Sequence, residues 1–216
     1  MDEKNLKEAL AKARESKRNF KQTIDLIINL KDLDFKKPEH QIEFFASLHN
    51  SKGKKIKVCA LVGAEMVSEA KRVCDFVVVL DDFEKYEKDK KIAKKLSSQF
   101  DYFIGQANIM PKIATAFGKT LGRRGKMPNP KAGCIVPSNA NLEPLYNRLQ
   151  KMVKISAKKD PVIHCPVGAE DMKDEEIMDN IKTVFDQVIH HLPNEKNNIK
   201  NTFIKLTMGK PVKVVL

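Results

Sequence analysis

No apolar run in the 216-residue chain approaches the ~18 residues that a membrane helix needs, and the charged start Met1-Asp2-Glu3-Lys4 lacks the apolar core of a secretory signal. These absences predict a soluble, cytoplasmic protein with no membrane partner. The four cysteines, Cys59, Cys74, Cys134 and Cys165, form no C-x-x-C pair, and three sit in apolar segments, so neither disulfides nor zinc are expected. The histidines offer no ligand spacing either: His190 and His191 are adjacent, and His40 and His49 lie in a polar region. No metal and no cofactor is expected.

Glycine is missing where phosphate loops require it. "GKT" at 118–120 has Ile113 in place of the glycine of G-x-x-x-x-G-K-[ST], and "LVGAEMVSEA" supplies only Gly63 toward G-x-G-x-x-G. Cys134 lies in an apolar run, and His164 and Cys165, as strand neighbours, point to opposite faces, so nucleophilic catalysis has no constellation. Asp81 and Asp82 follow the apolar "FVVVL", where a doubly wound fold can hold magnesium; Asp-Asp before a helix is expected to cap it instead. What survives of an enzyme is the alternative of an α/β domain at 60–154 acting on a nucleotide or phosphorylated substrate.

The remaining absence is of acid. From Tyr102 to Leu142, 41 residues contain no Asp or Glu, while Lys112, Lys119, Arg123, Arg124, Lys126 and Lys131 fall inside. The whole chain has 40 Lys plus Arg against 28 Asp plus Glu, a formal charge of +12, and so concentrated an excess points to a nucleic-acid partner. "TLGRRGKMPNPKAG" at 120–133 is the centre of the window. Its cations fit a nucleic-acid backbone, while Met127, Pro128 and Pro130 could instead serve to pack at a domain interface.

Two textures alternate along the chain. Leu6, Leu10 and Ala13 mark an amphipathic helix over 3–18, and "FKQTIDLIINL" at 20–30 alternates as a half-buried antiparallel strand does. From Lys57 short apolar runs alternate with helices: "KVCALVG", a helix at 64–73, "FVVVL", a Lys-rich helix at about 84–98, "YFIGQ", a helix at about 109–119, then 133–136 and a helix from near Asn141. That is the pattern of parallel strands buried on both faces. The first texture returns with "VKISAKKDPVIHCPVG" at 153–168, read as a hairpin or two strand pieces. A helix at 174–192 follows, with Ile177, Ile181, Val184, Phe185, Val188, Ile189 and Leu192 on one stripe, and then a strand end broken near Gly209 and Pro211. The fold class is α/β: a discontinuous α+β domain with an antiparallel sheet, residues 1–59 and 155–216, and an inserted Rossmann-like α/β domain, residues 60–154.

"LGRRGKMPNPKAG", together with the order "NFKQTIDL", an α/β insert, "IHCPVG" and "TMGKP", resembles the ribosomal protein L1 family over nearly the whole chain. The resemblance implies a non-enzymatic large-subunit protein whose discontinuous domain binds the stalk region of the large rRNA. It further implies an inserted domain leaning toward exit-site tRNA, and repression of the protein's own mRNA through a site mimicking the rRNA. A free monomer that becomes ribosome-associated is expected. Phe20 and Thr23 match the family's F-x-x-T, Asp25 its following acid, and Thr207, Met208 and Gly209 its T-M-G, the core of rRNA recognition. Lys119, Arg123, Arg124, Lys126 and Lys131 are the expected secondary RNA contact. The chain departs from the family at Lys210, which precedes Pro211 where many members continue T-M-G-P, at Asn201, and at Ala169 after Gly168; "TMGKP" is closer to archaeal members than to bacterial ones.

Overall fold

The computed structural model describes residues 3–15, 18–158 and 160–214. In chain order the elements are α1 (Glu3–Ala13), β1 (Thr23–Leu30), β2 (Ile42–Ser47), β3 (Val58–Val62), α2 (Val67–Val73), β4 (Phe76–Val79), α3 (Phe83–Lys88), α4 (Lys90–Gln99) and β5 (Tyr102–Gln106). They continue as α5 (Met110–Leu121), β6 (Ile135–Val136), α6 (Leu142–Lys151), β7 (Met152–Ala157), β8 (Val162–Ala169), α7 (Asp174–His191), β9 (Ile199–Leu206) and β10 (Val212–Val214). Two compact units result, residues 1–54 with 151–216, and residues 55–150. The crossings fall a few residues earlier than the composition shifts at 59/60 and 154/155. The reason is pairing: β7 is bound along its length to β2 of the first unit, from Ile42 opposite Ala157 to Ser47 opposite Met152.

In the first unit an antiparallel sheet of order β10-β9-β1-β8 presents one apolar face. Ile24, Leu26, Ile28 and Leu30 of β1 alternate inward and are at most 4% exposed, packed with Leu6 and Leu10 of α1 and the stripe of α7. Each such side chain contributes about 1.5–3 kcal/mol by burial. The other face of the sheet is only half-covered, with Thr23, Asp25, Ile27 and Asn29 of β1 all of intermediate exposure. The segment 153–168 forms two strand pieces in different sheets, β7 with β2 and β8 with β1. Strand β2 has no counterpart in the sequence reading, because its burial does not alternate.

The second unit is a parallel sheet of order β4-β3-β5-β6. All five residues of β3 are buried, as a strand covered on both faces requires. Helices α3, α4 and α5 cover one face of the sheet, where Phe83, Leu96, Ile113 and Phe117 close over Cys59, Leu61 and Phe103. The Lys-rich helix is two helices rather than one. Asp89 breaks it and caps α4, its carboxylate accepting the Lys91 N–H at 2.8 Å. Asp82, expected to cap by its side chain, instead accepts Lys85 Nζ at 2.6 Å and leaves the α3 N–H groups uncapped by a side chain.

Candidate nucleic-acid interface

Strands β1 and β9 run antiparallel with Ile24 opposite Leu206, so Thr23 and Thr207 meet one step further out. Their contact is dense. Thr207 Oγ1 accepts the Thr23 N–H at 3.1 Å and lies 2.9 Å from Thr23 Oγ1, and the Thr207 N–H donates to the Thr23 carbonyl at 3.0 Å. Two chain segments 184 residues apart are thereby clamped by hydroxyls that remain exposed.

Beneath this pair lies Gln22, wholly buried. Its Oε1 accepts the Met208 N–H at 3.1 Å, its carbonyl accepts the Glu170 N–H at 2.9 Å, and its own N–H reaches Glu170 Oε2 at 3.4 Å. One residue thus joins the start of β1, the turn after β9 and the end of β8, the turn through its side chain and β8 through its backbone. Gly209 closes the turn by donating its N–H to the Leu206 carbonyl at 2.9 Å; a Cβ there would approach Leu206 Cβ to 3.1 Å, a tight fit that Leu206 would have to yield to by a few tenths of an ångström. Met208 at 60% exposure and Phe20 at 53% are the two most exposed large apolar side chains among the described residues, and both flank the threonine pair in sequence.

Asp25 stands one pleat inward, opposite Lys205. Burial raises its carboxyl above the usual aspartate value, opposed by the charges of Lys205 and His164 and by the hydrogen bond from Thr23. A hydroxyl that donates to Asp25 has no second proton, so Thr23 Oγ1 has none left for Thr207, whose own hydroxyl proton has two acceptors in reach, Thr23 Oγ1 at 2.9 Å and the Thr23 carbonyl at 3.3 Å. Asn201 pairs with Asn29, six residues along β9 from Thr207 and on the same face, while Lys210 is exposed in the turn. Ala169, 1% exposed, lies under Gly53, where a larger side chain would collide; Lys21 braces that segment, reaching the Gly53 carbonyl at 3.2 Å and Asp171 at 2.7 Å. The sequence marked Phe20, Thr23, Asp25, Thr207, Met208 and Gly209, and the fold brings Thr23, Asp25, Thr207, Met208 and Gly209 to one end of one sheet. It did not mark Gln22, a polar residue before a strand that gives no sign of burial.

The loop at 122–133 behaves differently from its sequence reading. Lys126 Nζ donates to the carbonyls of Ser97 and Phe100 at 3.0 and 2.7 Å, neutralising the C-terminal end of α4. Arg124 Nη1 donates to the Lys94 carbonyl at 3.2 Å and to Ser98 Oγ at 2.6 Å. Both cations make hydrogen bonds within their own unit, Lys126 partly buried and Arg124 still exposed, as are Lys119, Arg123 and Lys131. Met127 joins the core between sheet and helices, and Pro128 is buried over Gly105, where a Cβ would come within 3.1 Å of its ring. The neighbourhood of Met127 and Pro128 is therefore the unit's own core, while Pro130 is exposed. Asn129 accepts the Lys131 N–H at 2.9 Å, and left-handed Gly133, with φ of 72°, returns the chain to β6.

Where β3 and β5 diverge, a doubly wound sheet would receive a nucleotide. Here the Gly63 N–H is taken by Gln106 Oε1 at 2.8 Å, and Gln106 is 3% exposed. The donor a phosphate would use is occupied by the protein itself. All four cysteines are buried, with burial pushing Cys74 and Cys134 up to about 11. No group of three or more potential metal ligands, and no helix long and apolar enough to cross a membrane, occurs among the described residues.

The profile of the ribosomal protein L1p/L10e family matches residues 10–210. A large ribosomal subunit protein uL1 of Methanothermobacter thermautotrophicus is 39% identical over 216 residues, covering 99% of this chain and 100% of its own length. Its counterpart in Methanobrevibacter smithii is 41% identical over 206 residues, 95% of each chain, and that of Nanoarchaeum equitans is 41% identical over 209 residues, 94% of this chain and 96% of its own. With the profile spanning all but the ends and archaeal relatives aligned along nearly their full length, the chain belongs to the ribosomal protein L1p/L10e family.

Proposed function

We propose that the protein is a non-enzymatic constituent of the large ribosomal subunit that binds the stalk region of the large-subunit rRNA through the Thr23/Thr207 end of its antiparallel sheet. The observation that supports this most is the hydroxyl clamp, fixed from below by Gln22 and flanked by exposed Phe20 and Met208. Rigid hydroxyls, a bare glycine backbone and adaptable apolar side chains suit close approach to ribose 2′-OH groups and to folded RNA shape. The relatives' name as large-subunit proteins supports the same partner.

The finer reading follows the family resemblance. The inserted unit meets exit-site tRNA, with Lys119, Arg123 and Lys131 as the exposed cations of the loop, and the sheet-end site also represses the protein's own mRNA when free. The protein is a monomer off the ribosome and ribosome-bound in the cytoplasm. If one site serves both RNAs, the two compete.

Binding to a stalk rRNA fragment at fixed salt is the test. Thr207→Ala and Met208→Ala should each weaken it by about tenfold or more, through lost hydrogen bonding and stacking area, whereas Lys196→Ala, in the turn that leads into the far end of β9, should change it little. Equal small effects in all three would refute the site. An excess of a leader fragment of its own mRNA should displace the stalk fragment, and failure to do so would refute the shared-site repression.

A further inference from the structure

We propose that the exposed lysine face of α4, extended by Arg123, is a second RNA surface that takes the phosphate backbone of an A-form duplex without regard to sequence; it rests on the reading of the chain as an RNA-binding protein.

Lys91, Lys94, Lys95 and Ser98 recur at i, i+3, i+4 and i+7 and share one side of the helix, all exposed, while Ala93, Leu96 and Ser97 are buried on the opposite side. The four steps of α-helix from Lys91 to Lys95 span about 6 Å, so the three lysines form a short cationic ridge rather than a scattered charge. Arg124 bonds Ser98 Oγ and the Lys94 carbonyl, which seats the 122–126 loop against the end of that ridge, and Arg123, its neighbour in that loop, is exposed.

The surrounding acids do not cancel this charge. Between Lys90 and Leu142 the only acid is Asp101, and its Oδ2 faces the Lys57 N–H at 3.3 Å. On the flanking α3, Asp82 is paired with Lys85 and Glu84 with Lys88, and Asp89 is the cap of α4. Even the partial negative charge of the α4 C-terminus is met by Lys126. By contrast, Asp81, Glu84 and Glu87 border a separate hollow with Lys112 near the first turns of α5.

The face also lacks what single strands use. Its one exposed apolar side chain is the aliphatic Ile92, and the exposed aromatic of this unit, Phe76 on β4, is already stacked on Phe100 with ring centroids 5.5 Å apart. Single-strand binders place bases on free aromatic faces. Charge at helical spacing without stacking platforms suits the phosphates of a duplex, which are reached without opening base pairs.

The full-length protein and its Lys91→Gln/Lys94→Gln/Lys95→Gln variant should be compared on a 20-base-pair RNA duplex of arbitrary sequence, a single-stranded oligouridine of equal length, and the stalk rRNA fragment, each across a salt series. The variant should lose about tenfold or more in duplex affinity near 0.1 M salt, with a slope of log K against log salt shallower by about two to three, one counterion per lost phosphate contact. Oligouridine should bind more weakly than duplex and be less affected, and the stalk fragment should hold its affinity. Unchanged duplex binding, or an equal loss for oligouridine, would overturn the proposal. Loss of stalk-fragment binding by wild type would refute the sheet-end site and leave the duplex comparison to be judged by itself. Exposed Lys→Gln changes are expected to leave the melting temperature unaltered, and a lowered one would be controlled by Lys91→Gln/Lys95→Gln, which spares the neighbour of Arg124.

Discussion

The sheet end at Thr23 and Thr207 and the loop at 122–133 are both rich in sequence signal, yet the protein uses them in opposite ways. At the sheet end, neutral groups are locked from inside and left open outside: the hydroxyls are exposed while Gln22 beneath them is fully buried. In the loop, charged groups that look free in the sequence are tied to the end of α4, Lys126 partly buried on its last carbonyls and Arg124 exposed but bonded to Ser98 and the Lys94 carbonyl. Helix C-terminal carbonyls are unsatisfied acceptors with partial negative charge, and a nearby lysine meets both needs. A cation in a loop is therefore weak evidence of a polyanion partner until the fold shows which acceptors lie within its reach.

The sharpest way to break the contrast is to unlock the sheet end from below. Gln22→Leu keeps the bulk but removes the acceptor of the part-buried Met208 N–H, at a cost of about 1 kcal/mol, and frees the turn that presents Met208 and Gly209. Stalk-fragment affinity should fall by at least about tenfold, although Gln22 itself is covered, and the melting temperature should fall with it. An affinity unchanged at a temperature where the variant is folded would mean that the turn is held by Gly209 and the threonines without Gln22.

What the sequence disclosed follows the range over which each signal acts. The alternation of β1 and the stripe of α7 are local periodicities, and every residue of that stripe is buried as read. Asp89 before a lysine-rich helix was also a local sign, and its cap splits what looks like one helix into two. Strand β2 was hidden because Glu43, Phe44 and Phe45 are all partly exposed, so no period of two appears, and its partner β7 lies more than 100 residues on. The roles of Gln22 and Lys126 were hidden for a related reason. Each depends on acceptors or donors brought from distant segments, which residue type alone does not report.

A second perturbation separates loop seating from RNA contact. Lys126→Met retains the aliphatic stem but withdraws the charge from the carbonyls of Ser97 and Phe100. The inserted unit should lose about 1–2 kcal/mol of stability, measured by urea unfolding, because two partly buried carbonyls lose a charged donor. Arg123→Gln, exposed and without a role in holding α4, should leave stability unchanged within about 0.5 kcal/mol. If the two variants were equally stable, Lys126 would be an outward-facing cation like its neighbour and the contrast between the two regions would fail.

The smallest effect concerns Asp25. Burial raises its carboxyl in the folded state above the value of the unfolded chain, despite Lys205, His164 and Thr23. A raised carboxyl pKa means that the native state binds the proton more tightly than the unfolded state. Its favourable contribution is thus present below the unfolded pKa near 3.8 and is lost as pH rises through the folded value. Asp25→Asn should accordingly match the wild type in stability at pH 3 and exceed it at pH 7, by less than about 1 kcal/mol for a half-buried group. The same variant should bind the stalk fragment more weakly, since an amide can donate as well as accept and no longer holds the Thr23 hydroxyl as a donor. A gain in stability with a loss in affinity would show the acid to be retained for recognition, and a loss in both would place it among the groups that merely hold the sheet together.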